Sequence, residues 1–149
     1  MAGELPIWVD GDWYTITTRH TNSGTPIQKT MHYVGQHMGN DLGINVEYHV
    51  WKNDTNPNVI GEIPGLVNPD DIFIIGAHID DVNGTKGVDD NASGSVATLL
   101  AADILSHYHW GWYHFPKRDI QHSFPGRFPY VDPHNAWFSG LVFRYLYAE

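Results

Sequence analysis

Hydrophobic and polar residues follow regular periods from about residue 13 to residue 106, and these periods predict both helices and strands. In "TPIQKTMHYVGQHMGNDLG" and "GSVATLLAADIL", apolar residues recur three or four positions apart, the spacing of a helix with one buried face. "INVEYHVW" alternates apolar and polar residues, as a half-buried strand does. The predicted helices lie near residues 26–42 and 93–106, and the predicted strands near residues 44–51, 59–63 and 72–77.

Local signals predict where these elements end and which faces they bury. In the first helix, Thr25 is a candidate N-cap, Pro26 a candidate first helical residue, and Gly43 a candidate C-terminal glycine. "DDIFIIGAH" is a continuous apolar run, typical of a central strand that is covered on both faces. The second helix has its larger apolar residues on one side: Val96, Leu99, Leu100 and Ile104.

The pattern loses its period from His107 onward. This stretch is crowded with aromatic residues, histidines and prolines, and the prolines interrupt any long helix or central strand. "WFSGLVFRYLY" predicts a short final helix or strand. We therefore interpret residues 1–149 as a single domain, with a regular part at 13–106 and a divergent tail at 107–149.

Composition limits the class of protein. A formal net charge of −9 argues against a nucleic-acid partner, because phosphate binding needs a basic surface. No apolar run is long enough to span a bilayer, so we expect no membrane partner. The start "MAGELPIWVDGDW" shows no secretory signal, and a chain without cysteine carries no redox information, so the localisation is unknown from the sequence.

One histidine and four aspartates cluster at the end of a predicted strand and the start of the following helix: His78, Asp80, Asp81, Asp89 and Asp90. Like charges at this density repel one another, so we expect a compensating group, and a bound metal ion is the first candidate. Strand residues two apart share a face, so Asp80 can lie beside His78 or hold its ring through the second nitrogen. At a helix N-terminus Asp90 is favoured by the helix dipole, and its two oxygens can bridge two cations. The simpler alternative is a strand-end histidine with solvated aspartates and an ordinary N-cap.

The joint string "IFIIGAHIDD", a short spacer and "GVDDNASGSVATLLAADIL" resembles the M28 family of zinc-dependent metallopeptidases, chiefly aminopeptidases. Upstream, "TRHTNSG", a helix, "LGINVEYHVW" and "NVIGEIPGLVNPDDIFIIGAH" follow the order of that family, so the resemblance covers roughly residues 13–106. It implies a three-layer α/β/α core with a mixed, mainly parallel sheet of the zinc-exopeptidase type. It also implies a site with two zinc ions that hydrolyses the N-terminal bond of a peptide substrate.

The resemblance assigns roles to single residues. His78 matches a terminal zinc ligand, Asp80 the catalytic-site acid that orients this histidine, and Asp90 the carboxylate that bridges the two zinc ions. Asp89 and Asn91 match neighbours of the bridging aspartate that are not ligands. The family pattern also implies a cis peptide bond between Asp90 and Asn91.

The family pattern fails beyond the second helix. Members of the family follow "PKR-x-I" with a Glu-Glu pair, in which the first glutamate is the general base and the second a metal ligand. Here that position falls near Phe128 and Pro129, and no glutamate occurs between Glu62 and Glu149. The predicted fold is therefore incomplete. We expect a truncated or altered chain that is weakly active or inactive alone and that self-associates through an uncovered sheet edge.

Several alternatives stay open. One is a non-catalytic binding or assembly module with a peptidase-derived fold. Another follows from "AHIDDV", which superficially resembles the signature of zinc-dependent N-deacetylases of small sugars, although Ile79 and Asn83 replace the expected proline and glutamate. A third is that the tail after "PKRDI" arises from a frame change, which translating the nucleotide sequence in all frames would reveal. The histidines of "HYHWGWYH" match no closed zinc site, so we interpret them as packing or surface residues.

Overall fold

The computed structural model of this chain describes residues 3–50, 56–64, 71–107 and 140–147, with the backbone alone at 71–72 and 140–147. In chain order the elements are β1 (Ile7–Val9), β2 (Asp12–Tyr14), α1 (Thr25–Gln36), β3 (Asn45–His49), β4 (Asn58–Ile63), β5 (Asp71–His78), α2 (Ser93–Ser106) and β6 (Gly140–Tyr147). A π-helical turn, His37–Asp41, follows α1, and a π turn with a kink at Asp90 and Asn91, Val88–Ala92, precedes α2. Both predicted helices and all three predicted strands are confirmed, and the fold is of the α/β class.

The larger sheet is mixed, but it is not mainly parallel. Its strand order is β3-β4-β6-β5, so the last strand of the chain lies between β4 and β5. Only the β4–β6 pair is parallel among the described strands, whereas β3–β4 and β5–β6 are antiparallel. The expectation of a mainly parallel sheet is therefore not confirmed by the described strands. The "WFSGLVFRYLY" segment contributes a strand rather than a helix.

A small hairpin at the amino-terminal end was not foreseen. β1 and β2 pair antiparallel through a turn in which Asp10 has φ of 53° and Gly11 has φ of 79°. Two successive residues with positive φ form the type I′ turn that suits the twist of a two-stranded ribbon. The dipeptide Asp-Gly between two apolar segments was the available sequence signal.

The core gathers around α1. Ile27, Met31, Val34 and Met38 are fully buried there, as their helical spacing predicts. They pack with residues from the loop before β3, from β4, from the loop after β5, and from α2, namely Ile44, Val59, Ile79, Leu99 and Ala102. No helix among the described residues is long and apolar enough to cross a membrane.

The region of β5 and α2 is more open than the sequence predicted. Phe73, Ile74 and Ile75 are 45%, 67% and 40% exposed, so β5 is not covered on both faces. In α2 the buried residues are mainly small, because this face approaches the sheet closely: Ser95, Thr98, Leu99 and Ala102. Of the four apolar residues expected on one side of this helix, only Leu99 is buried, while Val96, Leu100 and Ile104 are exposed.

The ends of α1 differ in part from the predicted ones. The N-cap is Gly24 rather than Thr25, and the Ile27 backbone N–H donates to the Ser23 hydroxyl at 3.2 Å. The predicted C-terminal glycine is confirmed, since Gly43 follows the π turn with φ of 67°. The helix end thus turns the chain directly into β3.

Candidate active site at the end of strand β5

His78 is the last residue of β5, and its ring lies between two carboxylates. Its Nδ1 atom is 3.3 Å from Asp80 Oδ1 and 3.1 Å from the Asp80 backbone oxygen. Its Nε2 atom is 2.9 Å from Asp90 Oδ1. The structure therefore brings together the three residues that the sequence analysis selected, with Asp80 on one ring nitrogen and Asp90 on the other.

The two carboxylates stand in different surroundings. The Asp80 side chain is 14% exposed, and its Oδ2 atom accepts a hydrogen bond from the Thr21 hydroxyl at 2.7 Å. The Asp90 side chain is 76% exposed. Thr21 therefore holds the Asp80 carboxylate in place, as expected of a residue that orients a histidine, while the Asp90 carboxylate faces solvent.

The backbone beside Asp90 is tied to the start of α2. The peptide bond between Asp90 and Asn91 is cis, as the family resemblance implied. The Asn91 side-chain oxygen accepts the Gly94 backbone N–H at 2.9 Å, and a Cβ at Gly94 would collide with this amide. Ser95 donates to the backbone oxygens of His78 and Asn91 at 3.2 and 3.1 Å, which joins the end of β5 to the start of α2.

Proton counting shows that this arrangement is suited to a cation. Both ring nitrogens of His78 face oxygen acceptors, but a neutral imidazole carries a single N–H. If Nδ1 donates towards Asp80, then Nε2 and the Asp90 carboxylate present two lone pairs to each other. A proton or a metal ion must lie between those atoms, and both donor types are ones that Zn²⁺ binds.

The remaining aspartates of the cluster do not join this pair. Asp89 is exposed and points its backbone oxygen at the Ser93 hydroxyl, at 3.0 Å. Asp81 is buried, and its carboxylate accepts the Arg19 backbone N–H at 2.9 Å and the Thr18 hydroxyl at 3.2 Å. The like charges of the cluster are thus compensated in part by the protein itself.

Arg19 is the residue that sequence reasoning missed. Its side chain is buried, and burial lowers the pKa of its guanidinium while the charges of Asp81 and Asp80 oppose this shift. Residues 18–21 lie beside the end of β5, with His20 and Asp81 forming an isolated parallel bridge. An arginine within "TITTRH" has no local pattern to mark it, because its partners lie about sixty positions away in sequence.

The metal-binding set is incomplete within the described part of the chain. No group of three or more histidine, aspartate or glutamate ligands occurs among those residues, whereas protein zinc sites use three or four. His107 is exposed, and its Nδ1 atom approaches the Asp103 backbone oxygen at 2.7 Å, in agreement with a surface role. The other tail histidines, and the position of the expected Glu-Glu pair, lie outside the described residues.

Comparison with known proteins supports the relationship that the motif suggests. Residues 58–125 match peptidase family M28. This segment contains His78, Asp80 and Asp90 and extends past "PKRDI", although it omits the upstream residues 13–57 that the motif analysis included. The expected resemblance to this family is confirmed over residues 58–125.

Two curated fungal proteins match with 34% identity over 68 residues. They are "Leucine aminopeptidase 2" of Trichophyton rubrum and "Probable leucine aminopeptidase 2" of Trichophyton verrucosum (strain HKI 0517). The match covers 46% of this chain and 13% of each relative. No solved structure matches the chain significantly.

Proposed function

From the relationship of residues 58–125 to peptidase family M28, we propose that this protein is a zinc-dependent aminopeptidase of that family. It would hydrolyse the N-terminal bond of a peptide through a two-metal site, with marginal turnover as the chain stands. The proposal includes the three-layer α/β/α core that the family implies.

The observation that carries the proposal is the placement of His78 between Asp80 and Asp90. The Asp80 backbone oxygen, with the Asp80 carboxylate beside it, favours the tautomer that carries its proton on Nδ1 and its lone pair on Nε2, and it raises the basicity of Nε2. His78 Nε2 and Asp90 Oδ1 lie 2.9 Å apart, so a neutral nitrogen ligand and an anionic oxygen ligand face the same position. Both ligand types fit zinc, and the second carboxylate oxygen of Asp90 would be available to a second ion.

Each residue of the chain has a separate task in this scheme. His78 and Asp90 would hold the metal, which would supply Lewis-acid chemistry for polarising a peptide carbonyl and activating a water molecule. Asp80 would keep the imidazole ring of His78 in place. Asp89, which is exposed but turned towards α2 through its backbone, has no assigned part.

The expected low turnover follows from what the sequence lacks. No glutamate occurs between Glu62 and Glu149, so the general base of the family has no counterpart in sequence. Proton transfer by such a base typically contributes about 10²–10⁴-fold in rate. This observation also favours the second candidate function, a non-catalytic binding or assembly module with a peptidase-derived fold.

The test is a zinc titration of the full chain against a competing metal-binding dye, with hydrolysis of leucine p-nitroanilide followed in parallel. The substrate is chosen because the matched relatives are named leucine aminopeptidases. We expect weak zinc binding that His78→Ala and Asp90→Asn each reduce at least tenfold, because each removes one of two assigned ligands. Hydrolysis should be slow, zinc-dependent and lost in both variants.

His37→Ala is the matched control. His37 also pairs with an aspartate, since its Nδ1 atom is 2.9 Å from Asp41 Oδ2, but this pair lies on the surface of the π turn after α1. Zinc binding that is equal in the unaltered chain and in the His78→Ala variant would overturn the proposal. Zinc binding without any hydrolysis would favour the non-catalytic module. Fast turnover would show that another residue acts as general base.

A further inference from the structure

The Arg19 side chain donates several hydrogen bonds beside the site, although it lies far from His78 in sequence. It is 1% exposed, and three of its guanidinium hydrogen bonds go to backbone oxygens rather than to a carboxylate. Nε donates to Ile79 at 2.8 Å, Nη1 to Lys86 at 3.0 Å, and Nη2 to Gly87 at 2.8 Å. A buried arginine that binds three carbonyls fixes the path of the chain that carries them.

These carbonyls belong to the two ends of one loop. Ile79 directly follows the metal-ligand candidate His78, and Gly87 comes three residues before Asp90. The planar guanidinium therefore joins the segment that carries one ligand to the segment that carries the other. We propose that Arg19 is a positioning residue of the metal site, which sets the separation of His78 from Asp90; this inference rests on the proposed function.

Gly87 connects Arg19 to the turn that contains Asp90. Its backbone oxygen accepts Arg19 Nη2 and also the backbone N–H of Ala92, at 2.9 Å, which closes the π turn that contains Asp90. Gly87 has φ of 48°, and a Cβ there would lie 2.7 Å from Arg19 Nη2 and 2.5 Å from the Asp81 Cβ. The close approach of Arg19 to the loop therefore depends on a glycine at this position.

The backbone of Arg19 holds the other end of the loop. Its N–H donates to Asp81 Oδ2 at 2.9 Å, and its C=O accepts the Asp81 N–H at 3.3 Å. The neighbouring Thr21 donates to Asp80, which orients His78. One short segment thus contacts both the orienting acid and the loop between the ligands.

A merely charge-compensating role predicts a different outcome from a positioning role. Lysine would retain the positive charge near Asp81, but its single ammonium group cannot donate to three carbonyls in the fixed planar pattern of a guanidinium. Arg19→Lys therefore separates charge from geometry. Val59→Ala, at a buried position of β4, serves as a control that loosens the fold without removing any hydrogen bond of the site.

The experiment measures two quantities on the full chain at a temperature where all variants are folded. The first is zinc affinity by dye competition, and the second is hydrogen exchange of the Asp81 and Ala92 amides in the absence of zinc. We expect Arg19→Lys to weaken zinc binding by about 10–100-fold, as loss of a group that orients ligands does. Both amides should exchange at least tenfold faster, while exchange within α1 stays unchanged.

The outcomes separate the inference from the proposed function. If His78→Ala weakens zinc binding but Arg19→Lys does not, Arg19 is not a positioning residue and the proposed function stands. If Arg19→Lys and Val59→Ala weaken zinc binding equally, the effect is one of general stability and the inference is overturned. Unchanged exchange at Asp81 and Ala92 would also overturn it, whether or not zinc binds. Zinc binding that is indifferent to His78→Ala removes the proposed function and, with it, the role assigned to Arg19.

Discussion

Helices α1 and α2 carry apolar residues at similar helical spacing, yet the structure buries one set and exposes most of the other. Met31 and Val34 of α1 lie in the core, whereas Val96 and Leu100 of α2 are exposed. The difference lies in their partners: α1 packs against β4 and against residues from the loops, while α2 turns its small residues towards the sheet. An apolar stripe thus shows that a helix needs a partner, but not that the described residues supply one.

The aspartates of the candidate site differ in exposure as the two helices do. Asp81 is buried, and its carboxylate accepts hydrogen bonds from Arg19 and Thr18. Asp90 is exposed and has His78 beside it. A buried, hydrogen-bonded carboxylate serves the fold, whereas an exposed one beside a histidine is available for a ligand.

The largest expected effect on stability comes from truncating one apolar side chain in α1 and, for comparison, one in α2. Met31→Ala should lower the free energy of unfolding by about 2–5 kcal/mol, because it leaves a cavity in a closed core. Leu100→Ala should change it by less than about 0.5 kcal/mol, because the side chain is exposed. Urea denaturation of the two variants measures the contrast.

If Leu100→Ala lowered the free energy of unfolding as much as Met31→Ala does, the proposed difference between α1 and α2 would be wrong. It would show that the exposed face of α2 is covered in solution, either by self-association or by a further layer of the fold. Sedimentation of the unaltered chain and of Leu100→Ala at several concentrations distinguishes these two cases, since only self-association depends on concentration.

Replacing Asp81 or Asp90 by asparagine should have opposite effects on the stability of the fold and on zinc binding. Asp81→Asn should destabilise the fold by about 1–3 kcal/mol, because it places an N–H₂ group among buried donors and removes the negative charge near Arg19. Asp90→Asn should leave stability within about 0.5 kcal/mol of the unaltered chain while it weakens zinc binding. Thermal unfolding without zinc, together with dye competition, gives both quantities; a reversed pattern would exchange the roles of the two residues.

The smallest expected effect concerns the hairpin on the closed side. Asp10 Oδ2 accepts hydrogen bonds from Lys29 at 2.8 Å and His32 at 2.9 Å, which tie the β1–β2 turn to α1. Burial acts to raise the pKa of Asp10, but these two partners hold it below its ordinary value of 3.8. Because the folded pKa is lowered, the stabilisation is present above about pH 3.8 and is lost as the pH falls through the folded value.

Asp10→Asn should therefore lower stability by less than about 1 kcal/mol near neutral pH, as is typical of an ion pair that solvent still reaches. The difference from the unaltered chain should vanish at a pH well below 3.8. Denaturation curves at several pH values provide the check. A difference that persists unchanged in acid would mean that the carboxylate charge is not what stabilises this turn.

Local sequence determined much of this protein. The period of apolar residues set the position of α1, α2 and three strands, because side-chain direction in a helix or strand follows from backbone geometry alone. The positions of His78, Asp80 and Asp90 also indicated that these side chains would lie together, since a short loop joins the end of the strand to the start of the helix. Even the β1–β2 turn had a signal in Asp10-Gly11, through the left-handed backbone that such a turn requires.

Only the tertiary structure decided the rest, because it depends on residues that meet across long sequence distances. The insertion of β6 between β4 and β5 made the sheet largely antiparallel, and no local pattern fixes which strands become neighbours. The exposure of Ile74 and Leu100 likewise depends on what packs against them. Asp81 is buried and hydrogen-bonded while Asp90 is exposed, and this difference involves Arg19, whose three carbonyl partners lie about sixty or more positions along the chain.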